Sequence, residues 1–336
     1  HVRLNYDNPL GRLTDIKRVV NNEAVETLTQ YRYDEHGQLS AVINRNGDTV
    51  RSFSYADGLM VTHSNALGLG CHYRWQTLGD KPRVVEHWTS DGEQYHFRYD
   101  PWGNLIEKRS GHSKLQHFSY DCENRLVRAE TLVNGKLESQ GEYRYDSLGR
   151  RIAKQAEING EVEQKRFLWQ GLRMLREETP GQSILYLYEP GSYAPLARVD
   201  QVEGEGQKVY YFHTDQIGTP LELTDSDGKI VWQATYRSWG ALEHLAVDEI
   251  EQNIRFQGQY FDDESGLHYN TFRHYDPECG RFVTQDPIGL EGGFNLYLYA
   301  PSPILWLDPM GLATYNTMPG IEGFQKHHII CLLYTS

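Results

Sequence analysis

Two copies of one short motif near the end of the chain place a pair of carboxylates where acid–base chemistry could occur. Asp286 opens the sequence Asp-Pro-Ile-Gly-Leu, and 22 residues later Asp308 opens Asp-Pro-Met-Gly-Leu. Asp-Pro-x-Gly alone is typical of an ordinary turn, because proline fixes φ near about −65° and glycine completes the reversal. The intervening run 292–299 can turn and return as a strand, so the two corners could face one another. Two carboxylates about 3 Å apart cannot both ionise, so one would act as an acid and the other as a base.

The elements that would position this pair belong to a degenerate repeat, an aromatic–Asp pair followed by glycine. Clear copies are Tyr6-Asp7 with a displaced Gly11, Tyr33-Asp34 with Gly37, Tyr99-Asp100 with Gly103, and Tyr145-Asp146 with Gly149; weaker ones begin at Tyr55, Trp75, Tyr120, Trp169 and Tyr188. Successive copies lie about 19 to 27 residues apart, as in stacked supersecondary units. Because aspartate can accept a hydrogen bond from its own backbone two residues on, and glycine tolerates positive φ, each copy predicts a turn between strands. An array of ligands is the alternative use of these aspartates.

Composition and periodicity favour strands over helices. The chain has 23 Tyr but only 4 Met, and tyrosine fits a pleated, half-buried surface. Stretches such as 229–236 alternate between apolar and polar residues, which indicates strands with one buried face. A short helical turn is expected near Leu242–Gln252. The sequence therefore predicts an all-β fold.

Charge and hydropathy exclude several classes of protein. The net charge of −13 over 336 residues argues against nucleic-acid binding by this chain as a whole. The mean hydropathy is −0.65, and no apolar run approaches the roughly 20 residues of a membrane-spanning helix. Four widely spaced cysteines show no CxxC pattern, so we expect no disulfide framework and no zinc or other metal site.

The aromatic–Asp units resemble the YD repeats of Rhs proteins, insecticidal toxin-complex C subunits and teneurins. The segments 211–220, 239–240, 256–260 and 280–282 are similar to the Rhs repeat-associated core, and the resemblance covers about residues 5–312. It implies a spiralling antiparallel β-sheet that closes into part or all of a hollow shell, or cocoon. On this basis we assign YD/RHS repeats to 1–205 and the core to 206–312.

In this family the duplicated Asp-Pro motif marks a self-cleaving aspartyl peptidase. The resemblance implies that Asp286 and Asp308 are the catalytic pair and that the cut falls between Leu312 and Ala313, with no cofactor. Arg273 stands where the family pattern has an arginine needed for the cut, and a guanidinium could orient the carboxylates. A surface or strand-pairing arginine is the alternative. Pro-Ser-Pro at 301–303 departs from the usual Asn-Pro.

The resemblance implies a polymorphic toxin whose shell encapsulates its own C-terminal toxin and releases it by autoproteolysis. Such a bacterial effector would be secreted or delivered to cell surfaces, for bacterial competition or insecticidal delivery, with secretion-system or delivery proteins and an immunity protein as partners. An alternative from another class is a YD-repeat adhesion module that binds carbohydrate without catalysis. A shell whose catalysis has decayed is a third. The duplicated motif favours the first, because adhesion needs no catalytic pair.

Both ends of the chain carry separate expectations. The start at His1, with no signal-peptide pattern, predicts that the chain begins inside a longer protein. Residues 313–330 would begin a variable toxin, and His327 and His328 lie in a run that resembles the first catalytic strand of His-Me finger nucleases. Such a nuclease would use a divalent metal in its missing portion; an exposed linker is the alternative. Residues 331–336 resemble a translated sequencing adapter.

Overall fold

A computed structural model of the chain describes residues 1–7, 12–79, 81–215, 217–237, 239–292, 295–300 and 307–312. These residues form two compact units. The first comprises the described residues up to Pro101 together with Lys108–His112, and the second comprises Trp102–Glu107 and the described residues from Ser113 onward. Within these ranges the only helix is a 3₁₀ turn at Gly289–Gly292, and no helix is long and apolar enough to cross a membrane.

The first unit is an antiparallel meander in which each strand pairs with the next along the chain. Its strands are β1 Val2–Asp7, β2 Arg12–Val20, β3 Glu23–Tyr33, β4 Leu39–Asn44, β5 Thr49–Ala56, β6 Leu59–Asn65, β7 Gly70–Leu78, β8 Lys81–Thr89 and β9 Gln94–Tyr99. Strand β10, Leu105–Ser110, has residues in both units. The unit's core is an apolar cluster that includes Leu13, Ile16 and Val42.

The second unit continues the same pattern and adds a small inner sheet. Its consecutively paired strands are β11 Lys114–Tyr120, β12 Leu126–Val133, β13 Lys136–Tyr145, β14 Arg151–Ile158, β15 Glu161–Gln170, β16 Arg173–Thr179, β17 Gln182–Tyr188, β18 Pro195–Val202, β19 Lys208–Thr214, β20 Pro220–Thr224, β21 Ile230–Tyr236 and β22 Leu242–Asp248. The small sheet comprises β23 Tyr260–Asp262, β24 Leu267–Asn270, β25 Arg273–Asp276 and β26 Arg281–Phe282. The predicted all-β fold of antiparallel strands is confirmed.

The repeat aspartates build the turns, as the sequence predicts. Asp34 Oδ1 accepts the backbone N–H groups of His36 at 3.0 Å and Gln38 at 2.8 Å. The same pair of hydrogen bonds, to the second and fourth residues after the aspartate, recurs at Asp121, Asp146, Asp215 and Asp225. At these positions the turn interpretation is confirmed over a ligand array.

The repeat aromatics link each hairpin to the one before it. The Tyr33 hydroxyl donates to the carbonyl of Leu13 at 2.8 Å, and the Tyr145 hydroxyl donates to that of Leu126 at 2.6 Å. A tryptophan does the same with its indole N–H, from Trp169 to Arg151 O at 2.8 Å. In these three repeats the aromatic side chain satisfies a backbone carbonyl 18 to 20 residues earlier.

The expected helical turn near Leu242–Gln252 is wrong. Residues Leu242–Asp248 form strand β22, which pairs antiparallel with β21 from Tyr236↔Leu242 to Trp232↔Asp248. The apolar spacing of Leu242 and Leu245 suits a helix locally, but the open edge of β21 offers a ladder of backbone hydrogen bonds. Local propensity is a weak prior that such tertiary pairing overrides.

A buried ionic network attaches the small sheet to the surrounding strands of the second unit. Asp262, on β23, accepts from Arg151 at 2.5 Å and from Lys154 at 3.1 Å, and Lys154 also contacts Glu264 at 3.0 Å. All four side chains are almost completely buried. The Arg151 guanidinium stacks 4.2 Å from the ring centre of Tyr269 on β24. These contacts connect β14 to β23 and β24, the sheet that carries Arg273.

Candidate active site

The structure brings together Arg273, Asp286 and Asp308, the three side chains predicted as catalytic. Arg273 Nη2 lies 3.1 Å from Asp286 Oδ2 and 3.3 Å from Asp308 Oδ2. Because both oxygens contact one nitrogen, they are at most about two hydrogen-bond lengths apart. All three side chains are buried. The guanidinium therefore joins two carboxylates that are 22 residues apart in sequence.

Each Asp-Pro corner has a hydrogen bond of the kind that closes the repeat turns. Asp286 Oδ1 accepts the N–H of Ile288 at 3.1 Å, and Asp308 Oδ1 accepts the N–H of Leu312 at 2.8 Å. In both corners the other carboxylate oxygen, Oδ2, faces Arg273. The ordinary turn and the carboxylate pair are thus one arrangement, in which one oxygen of each aspartate shapes the corner and the other enters the site.

Arg273 is held on several sides at the start of β25. Its Nε donates to the carbonyl of Gly311, and its Nη1 donates to that of Leu296 at 3.2 Å. The guanidinium carbon lies 3.6 Å from the ring centre of Phe282. Arg273 is 1% exposed, so the alternative of a surface arginine is wrong. Its planar guanidinium has five N–H donors in a fixed arrangement, so it can contact carboxylates and carbonyls on several sides at once.

Burial shifts the protonation of this site. It lowers the pKa of Arg273 to about 10, although the charges of Asp308 and Asp286 partly offset the effect. Arg273 is therefore still charged at neutral pH. Burial raises the pKa of Asp286, against the opposing influence of Arg273 and the N–H of Ile288. Asp286 thus keeps its proton to higher pH than an ordinary aspartate, as an acid catalyst requires.

The segment between the two corners does not return as a regular strand where the structure describes it. Residues 295–300 contain turns and one isolated bridge, from Leu298 to Arg281. The segment still serves the site, because Leu296 O accepts the backbone N–H of Asp286 at 2.8 Å as well as Arg273 Nη1. Among the described residues, the expected returning strand is therefore replaced by a few contacts to β26 and to the first corner.

Sequence reasoning missed Asn270, which lies at the end of β24 in the same hairpin as Arg273. Its Nδ2 donates to the carbonyl of Asp308 at 2.8 Å, and the side chain is completely buried. The backbone N–H of Phe272 donates to Met310 O at 3.2 Å. The only available signal was an asparagine three residues before the candidate arginine, a pattern equally typical of any tight turn.

Several predicted residues lie outside the described residues. They are Ala313 on the far side of the expected cut, His327 and His328 of the expected nuclease strand, and the Pro-Ser-Pro at 301–303 that replaces the usual Asn-Pro. Their predicted roles stay predictions. In the part of the chain that the structure describes, no cluster of three His, Cys, Asp or Glu residues could hold a metal ion.

Comparison with known proteins identifies one family over most of the chain. The Teneurin YD-shell family model matches residues 1–295. This range includes Arg273 and Asp286 and ends before Asp308. The match agrees with the consecutive antiparallel strands and with the predicted YD-repeat fold.

Two curated relatives are named as toxins. Double-stranded DNA deaminase toxin A of Burkholderia cenocepacia (strain H111) is 37% identical over 93% of this chain and 24% of its own length. Toxin protein Tse5 of Pseudomonas aeruginosa is 31% identical over 90% of this chain and 28% of its own length. This chain therefore spans about a quarter of each of these relatives.

A solved structure of TcdB2-TccC3-Cdc42 aligns with 93% of this chain and 21% of that chain, at 17% identity and a TM-score of 0.44.

Proposed function

Since the chain belongs to the Rhs/YD-repeat family, we propose that it is part of a toxin shell that encapsulates a C-terminal toxin and frees it by cutting its own backbone between Leu312 and Ala313. One observation carries the proposal. Arg273 Nη2 contacts a carboxylate oxygen of Asp286 at 3.1 Å and one of Asp308 at 3.3 Å, and Asp308 opens the corner that ends at Leu312.

The reaction is hydrolysis of one peptide bond by water. Because the raised pKa of Asp286 suits the acid, we assign the role of base to Asp308, whose Oδ2 accepts a hydrogen bond from Arg273 Nη2. It removes a proton from the water as the water oxygen attacks the Leu312 carbonyl carbon. Asp286, whose pKa is raised, donates its proton as the C–N bond breaks. The products are a carboxylate at Leu312 and an amine at Ala313.

The fold supplies much of the rate. The substrate is the chain itself, and intramolecular positioning replaces the entropy lost when separate reactants meet. The corner that contains Asp308 is held by Asn270 and Arg273 on the neighbouring hairpin. After the cut, the same contacts would keep residues 308–312 in the site, which limits the peptidase to a single turnover. No cofactor enters this step.

The rest of the function follows from the family and from the relatives' names. The shell would carry its own C-terminal toxin as cargo and would be secreted or delivered to a cell surface as a bacterial effector. Delivery proteins and an immunity protein would be its partners. If the run with His327 and His328 begins a nuclease, its divalent metal would belong to the toxin. An adhesion module would not require a buried arginine between two carboxylates.

The test is intact-mass analysis of the purified chain beside its Asp286→Asn and Asp308→Asn variants. We expect the wild-type product to end at Leu312 and both variants to stay whole, because each loses one partner of the acid–base pair. Complete cleavage of both variants would contradict the assignment.

Asp276→Asn is a matched control. Asp276 is a buried aspartate in β25 that opens another Asp-Pro turn, and its Oδ1 accepts the N–H of Glu278 at 3.0 Å. We expect this variant to cleave like the wild type. If all three variants remain whole, the loss reflects general misfolding rather than the loss of a catalytic carboxylate.

A further inference from the structure

The turn between β24 and β25 has two features that cost free energy. Thr271, a β-branched residue, has φ of 49° in the left-handed region. Asn270 is completely buried, and its Oδ1 has no hydrogen-bond partner among the described residues. Strained backbone and unsatisfied buried polar atoms destabilise a fold and persist mainly where function requires them. Both features occur together in one short turn next to Arg273, which makes this hairpin a candidate for a functional role.

What this turn holds is the backbone just before the proposed cut. Asn270 Nδ2 donates to Asp308 O at 2.8 Å, Phe272 N–H donates to Met310 O at 3.2 Å, and Arg273 Nε donates to Gly311 O. Four consecutive residues thus supply three donors to three carbonyls of one short segment. We name these three donors the clamp.

The orientation of the Asn270 amide follows from its partner. If the amide were reversed, Oδ1 would face the carbonyl oxygen of Asp308, and two acceptors would repel one another. The nitrogen therefore points to Asp308. The oxygen is left as a buried acceptor without a partner among the described residues, which costs free energy.

The segment lies against the turn closely enough to need glycine. Gly311 has φ of 69°, and a Cβ at this position would lie 2.6 Å from the backbone oxygen of Asn270. No larger residue fits without moving the segment from the clamp. The contact thus fixes the backbone one residue before Leu312.

We propose that Asn270 is a positioning residue for self-cleavage, which holds the corner 308–311 so that the peptide bond after Leu312 meets the two carboxylates. This inference rests on the proposed function. Asn270 acts on the backbone of Asp308, which is both a catalytic residue and part of the substrate segment. One amide therefore sets the position of the proposed base relative to the peptide bond that is cut, and small displacements in such geometry change rates.

Asn270→Leu tests the proposal, because it removes the donor and the unpaired acceptor at similar size. We expect cleavage, followed by intact mass during cell-free synthesis of the full chain, to slow by at least about tenfold. The thermal midpoint should change little, because the loss of the hydrogen bond to Asp308 O is offset by removal of the unpaired Oδ1. A purely structural role would make cleavage and thermal midpoint fall together. Asn270→Asp, which keeps the shape but faces Asp308 O with a second acceptor, should slow cleavage as well.

Gln259→Met is the matched control. Gln259 is a buried amide with an unpartnered Nε2, and its Oε1 contacts His268 rather than the 308–312 segment. We expect the control to cleave within about twofold of the wild type, because the clamp donors are intact. If the Asn270→Leu and Asn270→Asp variants both cleave as fast as this control, the proposal is wrong.

A second measurement does not depend on cleavage. In the uncut Asp286→Asn chain, adding Asn270→Leu should speed hydrogen exchange at the backbone amides of residues 310–312, because one clamp donor is lost. Unchanged exchange would overturn the clamp. If the wild type is never cut, the proposed function fails, and this exchange comparison still decides whether Asn270 holds the segment.

Discussion

At the residue scale, each of the two aspartates does two things with its two oxygens. Oδ1 of Asp286 and Oδ1 of Asp308 accept backbone N–H groups inside their own corners, and both Oδ2 atoms contact Arg273. The repeat Asp146 shows the same division, since its Oδ1 shapes the turn and its Oδ2 contacts Arg150. The proposed active site is therefore a variant of the repeat turn in which one distant arginine serves two corners.

The protonation of Asp286 predicts how self-cleavage depends on pH. Its pKa is raised by burial, and as the acid it must carry a proton. We expect the cleavage rate to fall as pH rises through that pKa, so the rate should be higher at about pH 5 than at about pH 8. The measurement is single-turnover cleavage after the denatured, uncut chain is diluted into buffers of different pH.

Tryptophan fluorescence recorded in the same samples separates refolding from cleavage. A rate that rises with pH, while refolding stays constant, would remove Asp286 from the acid role.

At the element scale, the aromatic of each repeat connects strands across a hairpin. The Tyr145 hydroxyl donates to Leu126 O at 2.6 Å, and the ring lies 6.4 Å from that of Tyr269 on β24. The repeat strand therefore also contacts the small sheet beneath it. This role explains why the repeat tolerates tryptophan at Trp169, which has both a ring and a donor, in place of tyrosine.

Tyr145→Phe should lower the free energy of unfolding by about 1–2 kcal/mol, because it leaves the carbonyl of Leu126 without this donor. Denaturant-induced unfolding measures the change. Tyr211→Phe is the control: Tyr211 is 47% exposed, so its hydroxyl can bond to water and its loss should change stability by less than about 0.5 kcal/mol. Equal effects of the two variants would show that the inter-repeat bond contributes little.

At the scale of the whole molecule, buried charged side chains and a buried histidine hold the small sheet within the second unit. Asp262 contacts Arg151 and Lys154 out of reach of solvent. Its pKa is lowered to about 2, because these cations outweigh the effect of burial. Removing one partner from such a network leaves an uncompensated buried charge, which usually costs about 3–5 kcal/mol. The network therefore holds the small sheet in one position against β14.

His274 on β25 predicts sensitivity of the fold to acid. Burial, helped by the charge of Arg151 and opposed by Asp262, lowers its pKa to about 3. The pKa of a histidine in an unfolded chain is about 6.5. At a pH between the two pKa values, the unfolded chain therefore binds a proton that the folded chain does not. The contribution of His274 to the free energy of unfolding is fully present above about pH 6.5. It decreases as the pH falls, by about 2–3 kcal/mol at about pH 4.5.

His274→Phe should reduce this loss, because a ring remains to pack on Tyr143 and Tyr269 without a proton to gain. The difference in unfolding free energy between about pH 7 and about pH 4.5 measures it. His244→Phe, at an exposed position, should leave the acid dependence as in the wild type. If the unfolding free energy of the wild type and of both variants depended on pH in the same way, His274 would not be the source of the acid sensitivity.

The sequence by itself determined the local chemistry of this protein. The aromatic–Asp–Gly units predict turns and strands because each turn is closed by bonds within five residues, such as Asp34 to Gln38. The duplicated corners likewise identify Asp286 and Asp308 as candidates. Helix or strand at β22 was not decidable locally, because the edge of β21, not the apolar spacing of 242–248, selects the strand.

Only the tertiary structure decided how the candidates meet. It places the Arg273 guanidinium against both carboxylates and brings Asn270 to the carbonyl of Asp308, 38 residues away. Leu296 O joins the same site through Arg273 and the N–H of Asp286. These contacts depend on how β24 and β25 pack inside the second unit. A local pattern cannot encode them, because residues distant in the chain are brought together by the burial of whole strands rather than by the spacing within any one of them.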